Sequence, residues 1–237
     1  MVTFCLIGGK QNKSPMTNRI ENHLVGMTNK INPTILYFPF AMPNYEKSNN
    51  RFKEIIGDLK CNVIYMTPDM ISDFDKLLND SDILYIGGGI SDNLIKMFKD
   101  LNLDTILKKY INTDKIYAGS SAGAMLYCKA SMGDKDMFYD NFHYYNFKMV
   151  DGLGLLDLGI CPHYQNEDLI FYNDVIKKYD FDAFGLEEDS AVIIKDNKFY
   201  CIKEEPKVSA YYFSKPQFVM EDLKEGAIYE KTISFRS

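Results

Sequence analysis

The sequence predicts an α/β fold: a three-layer arrangement in which a mostly parallel sheet carries helices on both faces. Three observations predict it. Short apolar runs alternate with segments at helical spacing through the first half of the chain. The apolar runs lack strict alternation, as strands buried on both faces do. Two glycine-rich turns stand at the carboxyl ends of such runs, where α/β sheets gather their functional loops.

The elements follow in order. Val2–Ile7 is an apolar run that stops at Gly8-Gly9. In "SPMTNRIENHLVGMTN", Met16, Ile20, Leu24 and Met27 recur at helical spacing, with Ser14-Pro15 as the start signal. Thr34–Phe40 is the next buried strand. "NYEKSNNRFKEIIGDL" is a polar helix whose apolar face is Phe52, Ile55 and Ile56. Cys61–Met66 is a third strand, and "PDMISDFDKLLND" a further helix. Ser81–Gly89 is a fourth strand running into glycines, and "DNLIKMFKDLNLDTILKKYI" is helical. Lys115–Ser120 is a fifth strand, after which "SAGAMLYC" opens a helix. The second half differs. "DLGICPHYQNED" reads as a strand end and turn, with a helix from about Glu167. The stretch from Phe181 to Phe213 reads as strands and hairpins, with "KDNK" as a turn. This is expected to extend the sheet in antiparallel fashion. No linker or repeat divides the chain, so residues 1–237 are expected to form one α/β domain.

Composition narrows the function. The chain has 237 residues, 46% hydrophobic, and a formal net charge of -6, which argues against a nucleic-acid footprint. Five cysteines are scattered without a CxxC pair, so a zinc site is not expected and free buried thiols are. No apolar run approaches the ~18 residues of a membrane span, and the amino terminus lacks a basic segment followed by a leader-like apolar run. These features predict a cytoplasmic protein, monomeric or homodimeric, without membrane or nucleic-acid partners.

The chemistry centres on "IYAGSSAGAMLYC". Gly119-Ser120-Ser121-Ala122-Gly123 fits G-x-S-x-G centred on Ser121. In such an elbow a strand turns sharply into a helix, the flanks must be small, and the first helical N–H groups face the reacting centre. Centring on Ser120 gives Ala118 and Ala122 as flanks, without the glycines. A serine needs a base, and the chain has three histidines. His23 lies within the first helix, and His143 in an aromatic stretch that reads as strand or lid. His163 sits in a strand-end turn stiffened by Pro162, as Ser121 does. An orienting acid is then sought in "FGLEEDSAVII", where Glu187, Glu188 and Asp189 compete. Alternation turns Glu187 and Glu188 to opposite sides, so at most one faces the site. The "GGG" of Gly87–Gly89 lacks the lysine of a phosphate loop, but its backbone N–H groups suit an oxyanion.

Taken in order, "LYIGGGISDNLIKM", "IYAGSSAGAM", "CPHYQNED" and "FGLEEDSAVII" resemble the serine peptidases that include aspartyl dipeptidase and cyanophycinase. The resemblance implies a fold like that of class I glutamine amidotransferases, and hydrolysis of small peptides through an acyl-enzyme. It makes Ser121 the nucleophile, His163 the general base and Glu188, the second acidic residue after "GL", the orienting acid. The N–H of Ala122 and one from Gly88 or Gly89 form the oxyanion hole. Asp136 matches the aspartate that holds the substrate's free amino group, with Asp134 and Asp140 as competitors. No metal or cofactor is implied. An aspartyl dipeptidase also needs a cation for its substrate's side chain. The helix after His163 has no arginine, which leaves Lys129 and Lys135 as candidates.

Three other readings compete. An α/β-hydrolase esterase shares the elbow, but it places its acid before its histidine, whereas the best acid here follows it. A non-catalytic ligand-binding protein on the amidotransferase-like fold would not need Ser, His and Glu together. A glutaminase would need a cysteine at the elbow, and Cys128 falls beyond it in the expected helix.

Overall fold

In the computed structural model, Ile7 at the end of the first strand lies beside Ser120 at the end of the fifth. That register brings the functional turns together. The structure describes residues 2–11, 16–133, 148–164, 169–231 and 233.

The first half runs β1 (Thr3–Ile7), α1 (Arg19–Met27), β2 (Thr34–Phe38), α2 (Tyr45–Ile56), β3 (Asn62–Tyr65), a 3-10 turn (Pro68–Asp73) leading into α3 (Phe74–Asp80), β4 (Ile83–Ile86), α4 (Ser91–Asp100), α5 (Leu103–Tyr110), β5 (Ile116–Ser120) and α6 (Ala122–Tyr127). The second half runs β6 (Cys128–Gly133), β7 (Lys148–Asp151), β8 (Leu156–Pro162), α7 (Leu169–Ile176), β9 (Ala183–Leu186), β10 (Ser190–Lys195), β11 (Lys198–Lys203), β12 (Ala210–Ser214), β13 (Val219–Asp222) and β14 (Tyr229–Glu230).

Eight strands form the main sheet in the order β14-β11-β10-β1-β5-β4-β2-β3. From β1 to β3 the neighbours are parallel, and β10, β11 and β14 add antiparallel strands at the other edge. The expected antiparallel extension is present in β10 and β11, whereas β9 and β12 of the same stretch pair with each other in a separate sheet. The β10–β11 hairpin turns through Asp196 (φ 54°) and Asn197 (φ 59°), the two positive φ values that a tight hairpin requires.

Successive strand residues point to opposite faces, and the core divides accordingly. Cys5, Ile7, Tyr37 and Tyr85 pack against Ile20 and Leu24 of α1 and Phe52 and Ile55 of α2. Phe4, Leu6, Phe38 and Ile86 face α3 to α6. On this second face the chain also builds a six-stranded sheet, ordered β13-β12-β9-β8-β6-β7, whose Leu158, Ile160, Phe184 and Tyr212 join the same core. The sequence pattern does not separate these strands from the main sheet, because pairing between strands distant in the chain leaves no local mark.

Three local boundaries differ from expectation. The segment after β4 breaks into α4 and α5 at Asn102, which holds a left-handed conformation (φ 55°) that asparagine tolerates. Helix α1 starts at Arg19, while Ser14 and Pro15 lie outside the described residues. The N–H groups of Arg19 and Ile20 donate to the carboxylate of Glu204 at 2.9 and 3.1 Å, so the cap comes from a distant strand end. Helix α6 ends at Tyr127, so Cys128 opens β6 rather than lying within the helix.

Candidate active site

Ser121 occupies the elbow between β5 and α6 with φ 51° and ψ -114°, a conformation that costs a non-glycine residue about 1–3 kcal/mol. The surroundings hold it there. Its N–H donates to the Ile7 carbonyl at 2.9 Å, and its carbonyl accepts from the N–H groups of Ala124 and Met125. A Cβ on Gly119 would overlap the Gly123 carbonyl, and one on Gly123 would overlap the Ile86 carbonyl. The small flanks are thus a steric requirement.

Register supplies the partners. Pro162 pairs with Leu186 in the second sheet, so His163 and the turn after β9 emerge side by side. The His163 N–H donates to the Gly8 carbonyl at 3.0 Å, which ties this sheet to the end of β1. His163 also holds a positive φ (55°). Its Nε2 lies 2.8 Å from Ser121 Oγ, and its Nδ1 lies 3.1 Å from Glu188 Oε1. With the proton on Nδ1, that nitrogen donates to the carboxylate and Nε2 accepts from the serine hydroxyl, so one tautomer satisfies both contacts. Glu187 turns away, and its Oε2 accepts from the Ser209 N–H at 2.8 Å. This matches the expected divergence of the two glutamates.

The link that sequence reasoning missed is Gly8-Gly9. Gly8 N–H donates to Ser190, Gly8 carbonyl accepts from His163, and Gly9 carbonyl accepts from the Asp189 N–H. Each bond contributes about 1 kcal/mol. Together they fix the histidine turn and the glutamate turn against β1. Gly9 has φ +146°, and a Cβ there would lie 2.6 Å from His163 Cε1. The imidazole needs this glycine in order to sit where it does. The available signal was a glycine pair at a strand end, the same signal that drew attention to Gly87–Gly89.

Gly88 lies against the elbow, since a Cβ on it would come within 3.2 Å of Ser121 Cβ. Gly89 (φ +149°) instead abuts the Ala41 carbonyl. Beneath the turn, a Cβ on Gly87 would lie 2.5 Å from the Tyr37 hydroxyl, which pairs with Ser48 Oγ at 2.8 Å. Burial pushes the Tyr37 phenol up to about 12, so it stays protonated.

These residues line a cavity of about 520 Å³. Its lining includes Ser121, His163, Glu188 and Gly9, and also Lys10, Lys47, Ser48 and Arg51. Lys10 is buried between Glu21, at 2.8 Å, and Glu204. Burial alone would lower the Lys10 pKa, but the two carboxylates outweigh it and hold the ammonium charged.

The remaining described candidates do not line this cavity. The His23 ring pairs with the Tyr200 hydroxyl at 2.9 Å. Lys129 pairs with Asp157 at 3.0 Å and covers the Phe181 ring, so its charge is already engaged. The Cys128 thiol is fully buried, and desolvation pushes its pKa far above the usual thiol range. Asp134, Lys135, Asp136, Asp140 and His143 lie outside the described residues. Among the described residues, no helix is long and apolar enough to cross a membrane.

Comparison with known proteins adds the family. The profile of Peptidase family S51 matches residues 4–202. The chain is 22% identical over 210 residues to the uncharacterized peptidase YgaJ of Bacillus subtilis (strain 168), covering 86% of this chain and 88% of that protein. It is 26% identical over 153 residues to Peptidase E of Salmonella paratyphi C (strain RKS4594), covering 62% of this chain and 63% of that protein. Among solved structures, a peptidase from an acI-B1 Actinobacterium superposes with a TM-score of 0.69 at 14% identity, over 97% of both chains. A putative Peptidase E protein from Listeria monocytogenes EGD-e gives a TM-score of 0.60 at 17% identity, over 86% of this chain and 98% of that one. These superpositions show the shared fold, which is amidotransferase-like.

Proposed function

The chain belongs to peptidase family S51 and is a serine peptidase, and we propose that it hydrolyses small peptides, dipeptides foremost, through a Ser121–His163–Glu188 triad. The observation that carries this reading is the unbroken contact chain from Ser121 Oγ through both ring nitrogens of His163 to Glu188.

His163 Nε2 takes the hydroxyl proton as Ser121 Oγ attacks the scissile carbonyl. Glu188 stabilises the imidazolium that forms and keeps its Nδ1 proton in place. The developing oxyanion receives the N–H groups of Ala122, at the start of α6, and Gly88. Gly88 is preferred to Gly89 because it lies against Ser121. One such donor is worth about 3–4 kcal/mol in the transition state. His163 then protonates the leaving amine, and water, activated by the same nitrogen, resolves the acyl-enzyme. The burial of Cys128 and its place outside the elbow speak against a cysteine mechanism. Five free cysteines, four of them buried, fit a reducing compartment, so the cytoplasm is the proposed location.

The test is a dipeptide library assayed on wild type and single variants. Ser121→Ala and His163→Ala are expected to lower kcat/KM at least about a thousandfold while the fold is kept. His23→Ala is expected to change nothing. Activity surviving in Ser121→Ala, or lost in His23→Ala alone, overturns the assignment.

A further inference from the structure

The cavity beside Ser121 carries two cationic side chains that the triad does not use. Lys47 and Arg51 stand four residues apart on α2, hence on one face of that helix, and both line the cavity. Arg51 Nη2 donates to the Lys10 carbonyl at 2.6 Å, which aims the guanidinium at the end of β1. Among the described residues, neither side chain has a carboxylate within ion-pair distance. Glu46 and Glu54 belong to the same helix and border the outer groove beside Lys47 and Arg51. The other charges of the cavity are matched: Lys10 by Glu21 and Glu204, and Glu188 by the His163 ring. Among the described lining residues, the wall formed by Lys47 and Arg51 is therefore the part without a paired carboxylate, and an anionic group complements it.

Position identifies the part of the substrate that this wall meets. His163 lines the same cavity, and Gly9, where an added Cβ would overlap the His163 ring, immediately precedes the Lys10 carbonyl that holds Arg51. In the triad reading the leaving amine takes its proton from His163, so the residue that follows the scissile bond falls within this shared cavity. We propose that Arg51, supported by Lys47, binds a carboxylate on the residue that follows the scissile bond. The proposal rests on the triad reading, because it takes His163 as the donor to the leaving amine. It extends that reading by explaining a preference for very short peptides: in a dipeptide, the free α-carboxylate lies one residue from the bond that breaks. An acidic side chain at the same position presents the same chemistry.

The experiment compares four substrates that share one N-terminal residue: X-Ala, X-Ala-amide, X-Glu-amide and X-Gln-amide. Wild type is expected to prefer X-Ala over X-Ala-amide by about tenfold to a hundredfold in kcat/KM, chiefly through KM, as suits a charge-assisted contact. In Arg51→Met that ratio is expected to fall to near one, in Arg51→Lys to an intermediate value, and in Lys47→Met to drop by a few-fold. If X-Glu-amide is preferred over X-Gln-amide while the Ala pair is not discriminated, the carboxylate is the side chain's, and the site stands. A loss that struck acids and amides equally in Arg51→Met would mark Arg51 as a prop for Lys10 and overturn the proposal. So would equal rates for all four substrates in wild type. Fluorophosphonate labelling of wild-type Ser121 separates the two readings. Labelling without acid preference removes the carboxylate site alone, and absence of labelling removes the triad.

Discussion

Two glycine turns end neighbouring parts of the main sheet, and they do different work. Gly87–Gly89 follows β4 and Gly8-Gly9 follows β1, and each contains one glycine at a φ near +150°. At Gly89 the space a side chain would need belongs to the Ala41 backbone. At Gly9 it belongs to the His163 ring, which is part of the proposed machinery and is 39% exposed. One turn is required by the fold and the other by the geometry of the site. The same residue type at the same kind of strand end thus serves stability in one place and chemistry in the other.

Substitution can sharpen or break this contrast. The largest loss of stability is expected for Gly89→Ala, where strain and a backbone overlap combine to roughly 3 kcal/mol or more. Thermal unfolding should show it, with activity falling because the protein unfolds. Gly9→Ala is expected to cost less stability, since an exposed ring yields more easily than a carbonyl. Its kcat/KM should still fall about a hundredfold, because the imidazole is pushed off Ser121. A Gly9→Ala enzyme with wild-type kcat/KM, or one less stable than Gly89→Ala, would break the distinction. The smallest effect has the opposite sign. Gly26 lies within α1 with nothing near a would-be Cβ. Gly26→Ala is expected to stabilise the fold by about 0.5–1 kcal/mol, seen as a higher Tm at unchanged kcat.

The contrast also shows why some of the molecule was legible from sequence and some was not. The elbow at Ser121 and the turn at His163 announce themselves locally, through small flanks, an apolar run before and a helix or proline nearby. Glu188 was one of three adjacent acids until the family resemblance selected it, since alternation excludes only one of an adjacent pair. Gly9 marks only the end of an apolar run in the sequence, because its reason, the His163 ring, comes from the far half of the chain. Lys47 and Arg51 lie off the apolar face of Phe52, Ile55 and Ile56 that the sequence pattern of α2 marks. Only the tertiary placement of α2 beside the ends of β1 and β4 turns them toward the cavity. The cap that Glu204 gives α1, and the pairing of β6 with β8 in a second sheet, are long-range in the same sense. The main sheet was legible because each parallel strand there is followed by its own helix, a pattern written in consecutive residues.

The central claim is that Ser121 is an activated nucleophile. Incubation with a fluorophosphonate, followed by intact-mass measurement and peptide mapping, tests it without assuming any substrate. One adduct on Ser121 in the native protein, absent in Ser121→Ala and strongly slowed in His163→Ala, is the predicted result. An unlabelled native protein, or an adduct on another residue that persists in Ser121→Ala, would contradict it.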